Sequence, residues 1–310
     1  MKQNTSTTGQ AADPSAATII VAGATGDLGG RIAHALLGRG AGVRALVRPG
    51  SKGEKTTALQ GRGAVVVEVD LGDANALADA CAGGTCVVSA LSGLQEVILD
   101  AQTALLGATV VAGVPRFIPS DFAIDFTKLP PGTNRNLDLR REFGKRLAGA
   151  PVAATSVLCG MFADLLTGPA PVVLFPLRRV VYWGDADQPL DFTTIADTAA
   201  FTAAAALDPS TPRYLRIAGE VASARDLVRA AGEATGKEFR LLRAGRLRRL
   251  DTLIAVTRTL APGRREVFPA WQGMQYLRNM FSGLPKLAPL DNNRYPGMRW
   301  TPLRDVLRKK

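Results

Sequence analysis

The sequence holds a single histidine, His34, among 310 residues. Histidine is the side chain that exchanges its proton most readily near neutral pH, so this scarcity excludes a His-rich metal centre and leaves a Ser-His-Asp triad only His34 to use. His34 lies roughly half a turn from both Ile32 and Leu36 on an amphipathic stretch and is expected to face solvent. Cysteine is scarce too: Cys81, Cys86 and Cys159 form no CxxC pair. Three separated thiols suit a reducing compartment, so they read as small core residues, and no metal is expected. Apolar runs stop well short of the roughly 18 residues that a membrane span needs. Residues 1–16, rich in Thr, Ser, Gln and Ala, lack the apolar block of a signal peptide and are expected to be a disordered tail. Together these absences predict a soluble, cytoplasmic protein with no membrane partner.

What is present is a pattern of short apolar runs broken by glycine. With 46% hydrophobic residues, the chain can bury one large core or two modest ones. Residues 18–30, TIIVAGATGDLGG, run from an apolar strand into Gly23, Gly26 and Gly29, and a helical face of Leu28, Ile32 and Leu36 follows. Gly23 allows the turn, Gly26 leaves room for a pyrophosphate at the backbone, and Gly29 lets the helix pack close to the strand; the helix N-terminus then offers free N–H groups to phosphate. A bound dinucleotide is the first inference. The next strand, about Gly42 to Val47, ends in Arg48, Pro49, Gly50, Ser51 and Lys52, with no acid between Asp27 and Glu54. An NAD site would place an Asp or Glu there for the ribose 2′-hydroxyl, whereas Arg48, with Ser51 and Lys52, suits a 2′-phosphate. The expected cofactor is NADP.

Strands and helices then alternate: a helix near 52–59, a strand at 64–70, a helix at 73–82, a strand at 86–90, a helix about 95–112 and a strand at 116–119. This alternation predicts an α/β fold, a doubly wound parallel sheet with right-handed crossovers. Ligands bind beyond the carboxyl ends of such strands, so Asp70, Leu71, Ala90, Leu91, Ser92 and Ser120 are expected to line the cofactor crevice. A Pro- and Gly-rich loop between Phe122 and Asn136 reads as a segment that closes over a substrate. A helix at 137–147 and a strand at 152–158 complete a nucleotide-binding domain over 17–158. Segments 172–183, 191–195, an Ala-rich helix at 198–207 and a strand at 214–217 mix less regularly. They predict a smaller α+β lobe over 159–310, with some strands returning to the main sheet.

Charge is uneven. Residues 237–310 carry 17 Lys and Arg against 5 Asp and Glu, whereas the rest is close to neutral. This basic quarter, including Arg240, Arg243, Arg246, Arg248 and Arg249, reads as a solvated helix face or as a surface for an anionic substrate or an acidic protein partner. Nucleic acid is not the expected partner, because no helix-turn-helix, zinc-finger or stacking-aromatic signature accompanies the charge. Phe268, Trp271, Met274, Tyr276, Met280, Phe281 and Trp300 read either as packing of the last helices or as the wall of a pocket for a planar ligand.

The glycine turn, VRALVRPGS at 43–51, VSALSG at 88–93 and VPRFIPSDFA at 114–123 resemble the NmrA-like, isoflavone-reductase-like group of atypical short-chain dehydrogenases over residues 18–235. The resemblance implies a Rossmann domain with NADP(H) and a substrate cleft beside a C-terminal lobe, in a group split between reductases and redox-sensing regulators. By position it implies that Gly23, Thr25, Gly26, Asp27, Leu28 and Gly29 form the pyrophosphate loop. Arg48 would then meet the 2′-phosphate, Ser89 to Ser92 the adenosine side and Ser120 the nicotinamide. Reductases of this group carry a lysine where this chain has Arg140, and ordinary short-chain dehydrogenases add a tyrosine where it has Asn136. Arginine does not release its proton near neutral pH, so Arg140 would stabilise negative charge rather than act as a base. Ser120, Arg140 and Lys128 are the catalytic candidates, with Asp121 and Asp125 as looser ones. The implied function is NADPH-dependent reduction of a small aromatic or conjugated carbonyl or alkene compound; the alternative is a non-catalytic NADP(H)-sensing regulator.

Overall fold

The computed structural model describes residues 17–308 except Lys52 and Pro169. The tail expected over residues 1–16 and the phosphate ligand expected at Lys52 lie outside the described residues. β1 (Thr18–Ala22), β2 (Gly42–Val47), β3 (Val65–Glu68), β4 (Cys86–Ser89), β5 (Arg116–Ile118) and β6 (Ala153–Ala154) form one parallel sheet in the order β3-β2-β1-β4-β5-β6. Between them run α1 (Asp27–Leu37), α2 (Glu54–Gly61), α3 (Ala74–Cys81), α4 (Gln102–Val111) and α5 (Arg135–Ala148). This is the doubly wound Rossmann order, and its direction reverses between β1 and β4, where a crevice opens outside the strand ends.

Alternation along the strands separates the two layers. Ile19, Val21, Val43 and Val88 face the cluster that α1 closes. Ile20, Leu46, Val87 and Phe117 face the opposite one, closed by Leu77 of α3, Leu105 of α4 and Phe143 of α5. Because both faces are covered, β1 and β4 read as continuous apolar runs.

The expected strand at 152–158 is two strands. β6 ends at Ala154, the following Thr155 N–H still reaches the Phe117 carbonyl, and β7 (Ser156–Leu158) turns to pair with β12 (Tyr214–Arg216). Two further small sheets follow. One joins β8 (Met161–Phe162), β11 (Leu190–Thr193) and β13 (Glu220–Ala222); the other joins β9 (Val173–Leu174), β10 (Arg179–Trp183) and β14 (Arg240–Gly245). α7 (Ala224–Thr235), α8 (Leu247–Leu260), α9 (Ala270–Phe281) and α10 (Leu303–Leu307) surround them. The Ala-rich helix, α6 (Ile195–Leu207), belongs elsewhere: its small side chains and Phe201 pack against Ile32 and Leu36 of α1, on the Rossmann sheet rather than in the smaller lobe.

Two other expectations are corrected, and the packing reading of the aromatic tail holds. Residues 122–126 are buried, not a mobile cover, because Phe122, Ala123, Ile124 and Phe126 enter the core and the fully buried Asp125 carboxylate accepts from Arg216 Nε at 2.8 Å. His34 is half-buried, and burial, followed by the nearby Arg62 charge, lowers its pKa and favours the neutral ring. The aromatic tail is mostly core: Trp271, Met280 and Phe281 are buried, and Trp300 and Tyr295 lie 6.0 and 5.0 Å from the Phe201 ring. Phe268 alone of that group remains largely exposed. The three cysteines are free and buried in the core, and no described helix is long and apolar enough to cross a membrane.

Candidate active site

The turn between β1 and α1 is built from main chain packed too tightly for side chains. Gly23 adopts φ +82°, and a Cβ there would lie 2.7 Å from the Ala90 carbonyl oxygen. At Gly29 a Cβ would lie 2.2 Å from the Gly23 oxygen, so this glycine lets the first helical turn rest on the strand-end turn itself. Gly26 is exposed at the N-cap of α1, and no side chain caps the helix. The first-turn N–H groups therefore remain for an external acceptor, with the positive end of the helix dipole behind them. Thr25 and Leu28 flank the opening half-buried. The exposed Asp27 carboxylate pairs with Arg31 at 2.6 Å, which draws its charge toward the helix flank.

At the end of β2, Arg48, Pro49, Gly50 and Ser51 form a turn closed by Ser51 N–H to the Arg48 carbonyl at 3.0 Å, with Gly50 at φ +75°. Proline second and a left-handed glycine third are what a type II turn requires. The turn holds Arg48 in solvent, and among the described residues its guanidinium has no ion-pair or hydrogen-bond partner. The Gly50 N–H donates to Glu68 Oε2 at 2.9 Å, so a carboxylate at the end of β3 anchors the turn from beneath. Proximity in the sheet rather than in sequence makes Glu68 part of this site, and only the register Val47 to Glu68 reveals it.

The remaining expected lining residues stand at the ends of β3, β4 and β5. Asp70 is exposed and folds its own turn, accepting from Gly72 N–H at 2.9 Å, with Leu71 half-buried beside it. Ala90 and Leu91 are half-buried, Ser92 is exposed, and the fully buried Ser89 hydroxyl has no partner. Ser120 is buried just past β5. Its hydroxyl donates to the Leu91 carbonyl at 2.6 Å and its N–H donates to Gln102 Oε1 at 2.9 Å. Gln102 reaches this position because residues Glu96–Ala101 form a π-helical turn immediately before α4. A buried glutamine in an apolar helix was the available signal for it.

Arg140 joins Ser120 from α5. Its Nε donates to the Ser120 carbonyl at 2.9 Å and its Nη1 to the Asn136 carbonyl at 3.0 Å, fixing the guanidinium plane against the end of β5. Burial lowers the Arg140 pKa, with the Asp121 charge opposing. Asn136 is committed to structure: its amide donates to the Val267 carbonyl at 2.8 Å and its carbonyl accepts from Arg135. Asp121 is fully buried, accepts from the Ser156 hydroxyl at 2.6 Å and leaves its other oxygen unpaired. Burial raises its pKa, opposed by Ser156, Arg140 and Arg213, so the neutral acid is favoured more than in an exposed carboxyl. Tyr276 of α9 closes this end of the site, accepting from Ile124 N–H at 3.0 Å and donating to the Gly160 carbonyl at 3.1 Å.

Lys128 does not join Ser120 and Arg140. Its ammonium donates to the Lys286 carbonyl at 2.6 Å and lies 3.6 Å from Asp125, in a cluster with Arg216 that ties the 122–129 segment to the C-terminal region. Asp125 is thereby accounted for as an anchor.

Comparison with known proteins agrees with this architecture. The family model described as the NmrA-like family matches residues 15–253. Pinoresinol reductase 2 of Arabidopsis thaliana is 31% identical over 71% of this chain and 75% of its own. The bifunctional pinoresinol-lariciresinol reductase of Linum album is 28% identical over 94% of this chain and 93% of its own. The solved structure of AtPrR2 with NADP+ and (+)pinoresinol superposes with a TM-score of 0.78, at 25% identity over 94% of this chain and 98% of that one. With a match over most of its length and a relative above 30% identity, the chain belongs to the NmrA-like family.

Proposed function

We propose that this protein is an NADPH-dependent reductase of a small aromatic or conjugated carbonyl or alkene compound. The observation that carries the reading is the pairing of an uncapped α1 N-terminus, held open by Gly23, Gly26 and Gly29, with a guanidinium on the neighbouring strand end that has no partner among the described residues. The first accepts a pyrophosphate and the second a 2′-phosphate, with Ser51 beside it. The aromatic substrate class follows the relatives, which are named for reduction of pinoresinol.

When bound, NADPH supplies the hydride. The protein's own task is to hold an electrophilic carbon beside it and to stabilise the oxygen on which charge develops. Arg140 suits that second role. Two of its nitrogens are fixed on the Ser120 and Asn136 carbonyls, which leaves the Nη2 edge for an oxyanion without reorganisation. Ser120 spends its proton on Leu91 and offers only lone pairs, so it orients a donor rather than feeding an anion. No Lys or His side chain among the described residues bonds to Ser120 or Arg140, so water delivers the proton to the reduced substrate oxygen.

The test is calorimetric titration with NADP+, followed by loss of NADPH absorbance against quinones, enones and phenolic ethers. Saturable NADP+ binding and turnover of at least one class are expected, and Arg140→Ala should slow turnover far more than it weakens coenzyme binding. Absence of heat with NADP+ overturns the cofactor. Tight binding with no turnover across the panel makes the protein a coenzyme-sensing regulator instead.

A further inference from the structure

A cavity of about 700 Å³ lies in the C-terminal half, between the segment that follows β8, the C-terminal end of α7 and the chain around Phe239. It shares no residue with the candidate active site. We propose that it binds a small amphipathic anion, a molecule with an apolar body and a carboxylate or equivalent head.

The volume falls in the range of small-molecule sites. Its walls are mainly apolar: Leu166, Val173 and Phe239 are buried and line it, and Phe175 meets Phe239 edge-on with ring centroids 5.9 Å apart. The charged side chains among its described lining residues are Lys237 and Arg308, both cationic and both exposed. Lys237 has no ion-pair partner among the described residues, and Arg308 has only a loose one, Asp305 at 3.4 Å. Glu238, the acid next in sequence to Lys237, is held by Arg240 at 2.9 Å, and that hydrogen bond, with the Arg240, Arg178 and Arg179 charges, keeps it below the usual carboxylate range. Its charge is therefore engaged by Arg240, and no ion pair joins it to Lys237 or Arg308 among the described residues.

The end of α7 limits how such a ligand is oriented. Helix C-termini carry partial negative charge, so an anionic head is disfavoured against Ala234 and Thr235 and favoured at the exposed Lys237 and Arg308. The apolar body then lies along Phe175 and Phe239, out of water. This site also gives a use to part of the basic surplus of the last quarter, which the coenzyme-binding region does not touch.

The probe is dodecanoate, titrated calorimetrically into the full chain saturated with NADP+, with dodecanol as the uncharged comparison. Saturable one-to-one binding of dodecanoate is expected, with dodecanol weaker. The double variant Lys237→Glu, Arg308→Glu should lose at least about tenfold in affinity, the scale of charge-assisted contacts. Ala234→Trp, which fills the cavity from α7, should abolish binding. NADP+ affinity should be unchanged in both variants, and this serves as the check that each is folded. The proposal is overturned by absence of saturable dodecanoate binding, by equal affinity for dodecanol, by indifference to both variants, or by dodecanoate binding only when NADP+ is left out, which would put it in the coenzyme crevice.

Discussion

Arg48→Ala separates the two forms of the coenzyme on structural grounds. In the free protein the Arg48 side chain is exposed and unpartnered among the described residues, and the type II turn beneath it is held by main chain and by Glu68. Removing the guanidinium therefore breaks no bond in the fold, and the melting temperature should stay within a degree or so of the parent, as surface substitutions away from such features do. What should be lost is the proposed charge-assisted contact to the 2′-phosphate, worth about 1.5–3 kcal/mol, or roughly 10- to 150-fold in Kd. NADH has a hydroxyl in place of that phosphate and should bind parent and variant alike. The assay is calorimetric titration of each protein with NADPH and with NADH at one low ionic strength, because an exposed contact weakens as salt screens it. Equal losses for the two coenzymes, or an unchanged NADPH affinity, would refute the reasoning: the 2′-phosphate would then lie elsewhere.

Gly29→Ala should cost about 1–3 kcal/mol or more, because its Cβ would sit 2.2 Å from the Gly23 oxygen and main chain must move to admit it. Gly38→Ala, whose Cβ meets nothing closer than 3.4 Å, should be close to neutral; equal melting temperatures for the two variants would contradict the packing account. At the end of α6, burial alone would raise the Asp208 pKa, but hydrogen bonds from Ser210, Tyr295 and Arg294 outweigh it and hold the carboxyl at about 2. A depressed acid adds stability that is complete above its ordinary value of 3.8 and is lost as the pH falls through about 2. The melting-temperature gap between the parent and Asp208→Asn should therefore be widest above pH 4 and close toward pH 2, read by thermal denaturation across that window; a gap independent of pH would show that the carboxylate charge is not what holds the C-terminal segment.

The sheet was legible because its central strands are buried on both faces. Ile19, Ile20 and Val21 have no exposed alternative, so an unbroken apolar run, a glycine turn and a 3.6-residue stripe could be interpreted only one way. The turn at Arg48 was legible for a similar reason, since Pro-Gly has few conformations available. What remained hidden depends on distant partners. Alanine in α6 carries no mark of which layer it will cover, and a loop of Phe, Ala and Ile around Asp125 looks mobile until Arg216, 91 residues later, neutralises that carboxylate. Glu68 and Gln102 belong to the site through sheet register and a π-turn, and neither leaves a local motif.

The same distinction explains why the coenzyme side of the crevice is easier to read than the chemical side. Phosphate is recognised by main chain, and main chain is exposed only where glycine, proline and a helix start force it to be, all of which are written locally. Proton handling depends on which side chains are left unpaired after folding. Around Ser120 nearly every polar group is already engaged: Ser120 with Leu91 and Gln102, Asn136 with Val267, and Tyr276 with Ile124 and Gly160. The groups left over are one edge of a permanent cation, Arg140, and one oxygen of a buried acid, Asp121, which burial holds toward its neutral form. A fixed positive charge beside Ser120 is suited to stabilising the negative charge that a hydride creates. The free edge of Arg140 thus fits the charge-stabilising role proposed for it, on an observation independent of the relatives' names.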